Sequence, residues 1–550
     1  MSHARHRVAE TRPATPHVRQ PVPFELYLLG LGLVVCIGIA ARGFLLGSDR
    51  FFYPKEFAFQ LFALSAAVAA LERAGPLRFT RLDLLLAAFL GWSAIAAIDA
   101  PNIWWAYNAV AVSAAGLVVY WVTRSLRDQG YERAVLGIVS IAVVIVALAA
   151  LLEAYGAFDV SHGNRSPGGV LGNRNQMAHI LVLGTPTLLL FAIGVRRRVF
   201  VSLTALAIIP ITMALVLSRS RGAWLGGFAM LALVVVTLPL SGRALREAVS
   251  IRRAALWIGA AGIGILLALQ LPNALRWTSK TPYLSSLKAL VEYESGSGRG
   301  RLLQYSNTIR MIRDHPILGV GPANWSVAYA SYAPPHDPSH KPDDVVPVWR
   351  YPSGEWIGTV SEVGLPGAAM LLIAGCVFMR EAWKRLRRRA DSHAVLRGLT
   401  LACTLIALGC IGLVDPIIRT PAGGFLVFVV LGVFAPQPDA WLTIRQLGRN
   451  RMFRIACLVL GMGMGLALSG RQLAAGLMYG RQATPLQLTR AVAIHPGDYR
   501  AHALLAKAWV ERDRCDLARP HIDRARRLFP SATLPRRLRM QCMSVLTGGR

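Results

Sequence analysis

Two short stretches carry arginines where an apolar chain has no ordinary use for them. LSRSRGAW (217–224) sets Arg219 and Arg221 between two long apolar runs, and GRGRLLQYSNTIRMIRDHPILGVG (298–321) holds four more. A guanidinium can grip a phosphate through two parallel N–H···O bonds. It is also costly in hydrocarbon, roughly 2.5–3.5 kcal/mol at the bilayer centre on insertion scales, unless it faces water or a partner. Taken singly, each has a plainer reading. Arg221 at a helix end could snorkel to headgroups, Arg301 could sit on a solvated helix face, and Asn175 in GNRNQMAH (172–179) could be a helix N-cap. Taken together, Arg219, Arg221, Arg301 and Asn175 come from three separate segments and lie at one membrane surface. That is the makeup of a site for an anionic headgroup, and a lipid diphosphate fits it.

The elements that must position them are membrane helices. The 550 residues are 54% hydrophobic and only 16% charged, against about 25% charged in soluble proteins, and the mean hydropathy is +0.44. Apolar runs recur near 24–46, 56–72, 83–99, 104–123, 134–154, 176–195, 199–217, 222–240, 254–271, 356–379, 397–414, 422–436 and 453–470. Twelve or thirteen of them suit a helix crossing about 30 Å of hydrocarbon. The fold expected is all-α and polytopic.

The net charge of +31 (60 Lys+Arg, 29 Asp+Glu) needs no nucleic acid to explain it, because cytoplasmic loops are rich in Lys and Arg. Arginine-rich loops alternate with poorer ones. The rule then places the tail 1–23 in the cytoplasm and the loops 155–175, 218–221, 272–355 and 415–421 outside. An odd number of spans sends the C-terminus outside too, which for a bacterial chain is the periplasm. The N-terminus lacks a cleavable signal, so the first apolar run stays as a helix. Cys36, Cys376, Cys403, Cys410 and Cys457 sit in apolar runs with no metal-ligand spacing. Cys515 and Cys542 lie in a polar tail and can pair if that tail is outside the cytoplasm.

Three parts follow: the N-terminal tail, a membrane domain over 24–470 with a large external loop at 272–355, and a soluble tail at 471–550. Within the loop, Arg301–Arg313 reads as an amphipathic helix. Leu302, Tyr305, Ile309 and Ile312 form its apolar stripe, and Pro316 with Gly319-Val320-Gly321 stops it. Ala333–Val348 reads as irregular. In the tail, AHALLAKAWVERDRCDLARPHIDRARRLFP (501–530) has the pattern of a helical hairpin, and Pro496 and Pro530 are 34 residues apart, the tetratricopeptide period.

The ordered pieces GNRNQMAHILVL, SRSRGAWLGG, GRLLQYSNTIRMIRDHPILGVGPANW and SEVGLPGAAMLL resemble the O-antigen ligase and Wzy-type polymerase superfamily over roughly residues 165–435. The resemblance implies a metal-independent glycosyltransferase of the GT-C type in the bacterial inner membrane, with no cofactor. Its substrates would be an undecaprenyl-diphosphate-linked glycan and an acceptor: lipid A–core sugar, another glycan repeat, or a protein. By the same likeness Arg221 and Arg301 would bind the diphosphate, with Asn175 and Arg219 in contact with the substrate lipid. The family carries His-Asn about nine residues before its Glu-x-Gly-Leu element, where this chain has Ser353 and Gly354. The acceptor base would then be His336, His340 or Glu355, or there is no transfer at all. Three readings stay open: glycan ligase or polymerase, lipid-linked glycan transporter, and non-catalytic assembly factor docking polysaccharide-assembly proteins through 471–550.

Overall fold

The computed structural model describes residues 22–40, 49–73, 77–158, 165–195, 197–277, 279, 281–288, 296–335, 337–437, 442–444, 451–480 and 483–546. Nine membrane-domain helices precede the external loop. They are α1 (Phe24–Gly38), α2 (Asp49–Arg73), α3 (Arg81–Ala96), α4 (Ile103–Asp128), α5 (Glu132–Ala154), α6 (Arg174–Ile193), α7 (Arg198–Ser218), α8 (Arg221–Ala248) and α9 (Ile251–Gln270). The loop carries α10 (Pro282–Lys288), α11 (Gly296–Asp314) and α12 (Trp325–Tyr329). Then come α13 (Glu355–Leu386), α14 (Ser392–Gly412), α15 (Pro421–Phe434) and α16 (Arg451–Met478), and the tail helices α17 (Pro485–Ile494), α18 (Tyr499–Val510), α19 (Cys515–Leu528) and α20 (Thr533–Leu546). The one departure from helix among the described elements is an antiparallel pair, β1 (Leu77–Phe79) with β2 (Leu442–Ile444), in the register Leu77 to Ile444.

This is an all-α polytopic membrane protein. Among the described residues nine helices are long and apolar enough to cross a membrane. Each of the thirteen apolar runs carries one helix; in the run 24–46 that helix is α1, ending at Gly38, and residues 41–46 lie outside the described residues. The lower number arises because α1 and α15 have 15 and 14 residues, α3 has 16, and α2 carries Asp49, Lys55 and Glu56 within its length. These four helices still pack in the bundle: Leu29, Leu33, Phe59, Phe425 and Phe434 are all buried in its main core.

The helix ends sort into two poles. At one pole Arg124 pairs with Asp83 at 2.6 Å and Arg397 with Glu132 at 3.0 Å, while Arg385 donates to the Ala435 carbonyl at 3.2 Å. These residues come from the arginine-rich connections. The same helices run to an opposite pole, where α6, α8 and α13 begin and α7 and α14 end. α13, with 32 residues, spans about 48 Å at 1.5 Å per residue, enough to link the poles.

The long loop between α9 and α13 is clasped to α13 by backbone bonds. Val320 donates to Ser361 O at 2.9 Å, Gly321 to Glu362 O at 3.0 Å, and Leu365 to Pro316 O at 2.8 Å. α13 opens to receive them at Gly364, whose φ of 69° is non-helical and favours a glycine. A Cβ there would lie 1.9 Å from Ile317 O. DHPILGVG and SEVGLP are thus two halves of one joint, and the joint fixes where α11 lies.

α11 itself corrects the reading of its faces. The helix is present, from Gly296 to Asp314, but Leu302 (51% exposed) and Ile309 (44%) point outward. The face packed into the protein holds Gln304, Asn307, Thr308 and Met311. The reason is that the loop beneath is polar. Asn307 donates to Tyr329 Oη and Asp337, and the Trp325 indole donates to Thr308 Oγ1 at 3.1 Å. The period was legible; the side that turns inward depends on partners far along the chain.

The tail forms a helical hairpin, α18 against α19, with α17 and α20 flanking it, and a disulfide joins Cys515 to Cys542. It docks on the membrane domain: Tyr499 and Phe529 pack with Trp105 and Val327, and buried Arg500 pairs with Asp49 and reaches Tyr53 Oη at 3.1 Å.

Candidate functional site

The turn between α14 and α15 carries Asp415, and three segments converge on it. Arg301 Nη2 of α11 lies 3.4 Å from Asp415 Oδ1. On Oδ2, the Asn175 amide donates at 3.3 Å and His179 Nε2 stands at 3.5 Å. Gly222 closes the third side. A Cβ built on it would be 2.7 Å from Val414, 3.3 Å from Asp415 Oδ2 and 3.5 Å from His179 Nε2. Arg221, the first residue of α8, is the chain neighbour of this close-packed glycine.

Local sequence explains each placement. α7 ends at Ser218, Arg219 turns the chain in the left-handed region (φ 51°), and Ser220 is the N-cap of α8. α6 is capped by a side chain, Asn173 accepting from Asn175 N at 2.8 Å. Two helices thus begin beside the Asp415 turn, and the dipole of a helix N-terminus favours negative charge. Arg174 adds a further guanidinium near enough to feel Arg219, Arg221 and Asp415.

Arg219 and Arg221 diverge. Arg219 Nε donates to Ser286 Oγ at 2.9 Å, and its guanidinium covers the Trp277 ring at 4.8 Å, so it is tied to the external loop rather than to Asp415.

The Asp415 turn is held by a second, buried cluster. Glu355 Oε2 accepts from Ile417 N at 2.7 Å and Ile418 N at 3.0 Å, and its Oε1 takes Arg419 Nε at 3.1 Å. Arg419 Nη1 also meets Glu362 Oε2 at 2.8 Å, which accepts from Ala323 N at 2.9 Å. Glu355 and Glu362 stand on α13, so α13 locates both the loop that carries Arg301 and the turn that carries Asp415.

Burial alone would push the Asp415 carboxyl up. The neighbouring His179, the charge of Arg301 and the Asn175 amide outweigh it and hold the carboxyl below the usual carboxylate range. At neutral pH Asp415 is an anion resting among cations and N–H donors.

Arg301 and Asn175 meet at Asp415, Arg221 opens α8 one residue before Gly222, Arg219 turns to Ser286 and Trp277, and the two described candidate bases have other partners or settings. Glu355 is engaged by Arg419 and two backbone N–H groups. His336 lies outside the described residues. His340 sits at an isolated bridge to Val348 with its Nε2 buried and unpartnered. Among the described residues no contact links His340 to Asp415, Arg221 or Arg301. Ser353 and Gly354 pack against α11: Ser353 O accepts from Tyr305 Oη at 3.0 Å, and a Cβ at Gly354 would lie 2.8 Å from that hydroxyl. The sequence reading missed His179 and Asp415. His179 was findable, since it follows Asn175 by four residues and so shares its helix face. Among the described residues no group of three or more His, Cys, Asp or Glu side chains is placed to hold a metal.

Residues 205–372 match the O-antigen ligase family model. This segment is similar to an O-antigen ligase domain. It runs from within α7 into α13 and contains both Arg221 and Arg301, while Asn175, His179 and Asp415 lie outside it. The family implies a glycosyltransferase-like activity on a lipid-linked glycan and an acceptor. Among the curated proteins none matches the chain.

Proposed function

We propose that this O-antigen ligase-like protein transfers a glycan from undecaprenyl diphosphate to an acceptor at the outer face of the inner membrane. The observation that carries the reading is the meeting of Arg301, Asn175 and the start of α8 around one half-buried turn, all at the pole opposite the arginine-rich loops. With those loops in the cytoplasm, the site faces the periplasm, an oxidising compartment that suits the Cys515–Cys542 disulfide of the tail.

On this reading Asp415 holds the place of the donor's diphosphate. It keeps Arg301 aimed at the spot before the donor arrives. The Arg301 contact is long at 3.4 Å, which leaves the guanidinium free to turn to a better partner. When the sugar–phosphate bond breaks, charge grows on the leaving oxygen. Arg221, Arg301 once it has turned from Asp415 to the diphosphate, and the two helix N-termini would meet that charge, the kind of arrangement that lowers a barrier electrostatically. Asn175 and Arg219 flank the headgroup. The tail, clamped to α2 through Arg500 and Asp49, serves as a docking platform for assembly proteins.

The test is release of undecaprenyl diphosphate when purified protein meets lipid-linked glycan and acceptor. Arg221→Ala and Arg301→Ala should each lower the rate by about a hundredfold or more, as loss of one such donor does; unchanged release removes both arginines from the mechanism. The packed Ser353-Gly354 pair, standing where the family has His-Asn, favours a second reading: a protein that binds the lipid-linked glycan without transferring it. Binding without any release across all acceptor classes would select that reading.

A further inference from the structure

A cavity of ≈ 410 Å³ opens beside the Asp415 turn, and Asn173, Gln176 and Pro416 in its wall are chain neighbours of Asn175 and Asp415. Its charged groups are of two kinds. Arg350 and Arg500 are used by the fold: Arg350 pairs with Glu56 at 2.7 Å and Arg500 with Asp49. Arg165 is different. It has no carboxylate partner among the described residues, and its guanidinium lies over the Trp349 ring at 4.6 Å. Burial presses its guanidinium down from the usual arginine range, so an anionic partner would relieve it. Trp349 remains 54% exposed even with Arg165 on its ring. Lys341 stands at the exposed rim, also without a carboxylate partner among the described residues, next to exposed Asp344.

An exposed indole inside a cavity offers a flat apolar platform, and the C–H face of a pyranose is its natural counterpart. Specific pockets combine such walls with a few placed polar groups. Here the placed group is a cation with no carboxylate partner among the described residues. The geometry points to this cavity as a saccharide subsite that selects a sugar bearing negative charge, carboxylate or phosphate, its ring on Trp349 and its anion on Arg165. The assignment rests on the glycan-transfer reading above and adds to it the class of sugar.

The experiment titrates full-length protein in detergent micelles with methyl glucuronoside, glucose 6-phosphate and methyl glucoside, followed by saturation-transfer NMR. Both charged sugars should bind about tenfold tighter than the neutral one, the usual margin of a charge-assisted hydrogen bond over a neutral one. Arg165→Gln should erase that margin and leave methyl glucoside unchanged, and Arg165→Lys should keep part of it. Trp349→Ala should weaken all three. Equal affinities in the wild type, or a margin that survives Arg165→Gln in protein with normal thermal melting, overturns the subsite. Competition with sugar-bearing undecaprenyl diphosphate tells the source. Displacement assigns the anionic sugar to the donor, and independent binding assigns it to the acceptor; both outcomes require the subsite. Binding of sugar-free undecaprenyl diphosphate to Arg301→Ala, in the same preparation, tests the transfer reading separately.

Discussion

If Asp415 holds the place of a phosphate, removing its charge should improve anion binding, the opposite of what deleting a functional carboxylate usually does. The substitution is Asp415→Asn. Its amide can keep an oxygen toward Asn175 and His179, but the NH2 then faces Arg301, donor against donor, and Arg301 is released. Asp415 and an incoming phosphate compete for the same guanidinium, 3.4 Å from the carboxylate, so they would sit about 5 Å apart. Two unit charges at that distance repel by roughly 3 kcal/mol at an effective dielectric constant near 20. The Asp415 and Arg301 side chains are 15% and 19% exposed, and water at the site halves that to roughly 1.5 kcal/mol, about tenfold in affinity. The assay is calorimetric titration of the detergent-solubilised protein with inorganic pyrophosphate at low and at physiological salt. Asp415→Asn should bind about tenfold tighter, and the gain should shrink as salt rises. Weaker binding by Asp415→Asn, in protein with unchanged melting, would refute the reasoning and make Asp415 part of the binding surface.

Gly222→Ala should disturb the same site without touching a charge. Its methyl would stand 2.7 Å from Val414, so diphosphate binding should fall severalfold while mild Asp415→Asn-type gains disappear, as read by the same titration. Gly364→Ala should loosen the joint that places α11. The new Cβ would meet Ile317 O at 1.9 Å in a left-handed backbone (φ 69°), and a loss of about 1–3 kcal/mol is expected from the strain alone. Hydrogen exchange at Val320, Gly321 and Leu365 would report it. In the tail, burial first and the charge of His521 second hold His502 down to about 4, with Asp498 and Arg524 also acting on it. The unfolded chain then binds more protons between its ordinary value of 6.5 and about 4, so stability present above pH 6.5 is lost as pH falls through that window, by up to about 3 kcal/mol. Protection factors over residues 499–528, with the intrinsic pH dependence of amide exchange divided out, should fall between pH 7 and 5, and His502→Gln should flatten that fall.

What the sequence disclosed was local. Apolar runs located the helices because burial in hydrocarbon demands length and composition, both written in consecutive residues. The Pro316 and Gly319-Val320-Gly321 stop was legible for the same reason: a missing N–H and a positive φ are properties of one residue. The arginines were legible as misfits. What stayed hidden was pairing at long range. That DHPILGVG binds SEVGLP edge to edge, that Glu355 clamps the turn at 417–419, and that α11 turns its polar face inward all depend on partners 17 to 64 residues away. Asp415 was hidden for a simpler reason. A lone carboxylate after an apolar run reads as a loop end, and only the arrival of Arg301 from 114 residues away gives it a task. The helical hairpin of the tail was readable from its small-residue pattern, whereas its seat on Trp105 and Asp49 was not.

The measurement closest to the central claim is equilibrium binding of undecaprenyl diphosphate itself, without sugar or acceptor, to wild type, Arg221→Ala, Arg301→Ala and the double variant. The account predicts a loss of about tenfold or more for each arginine, and a double loss that differs from the sum because both grip one diphosphate. Equal binding by all four proteins would contradict it.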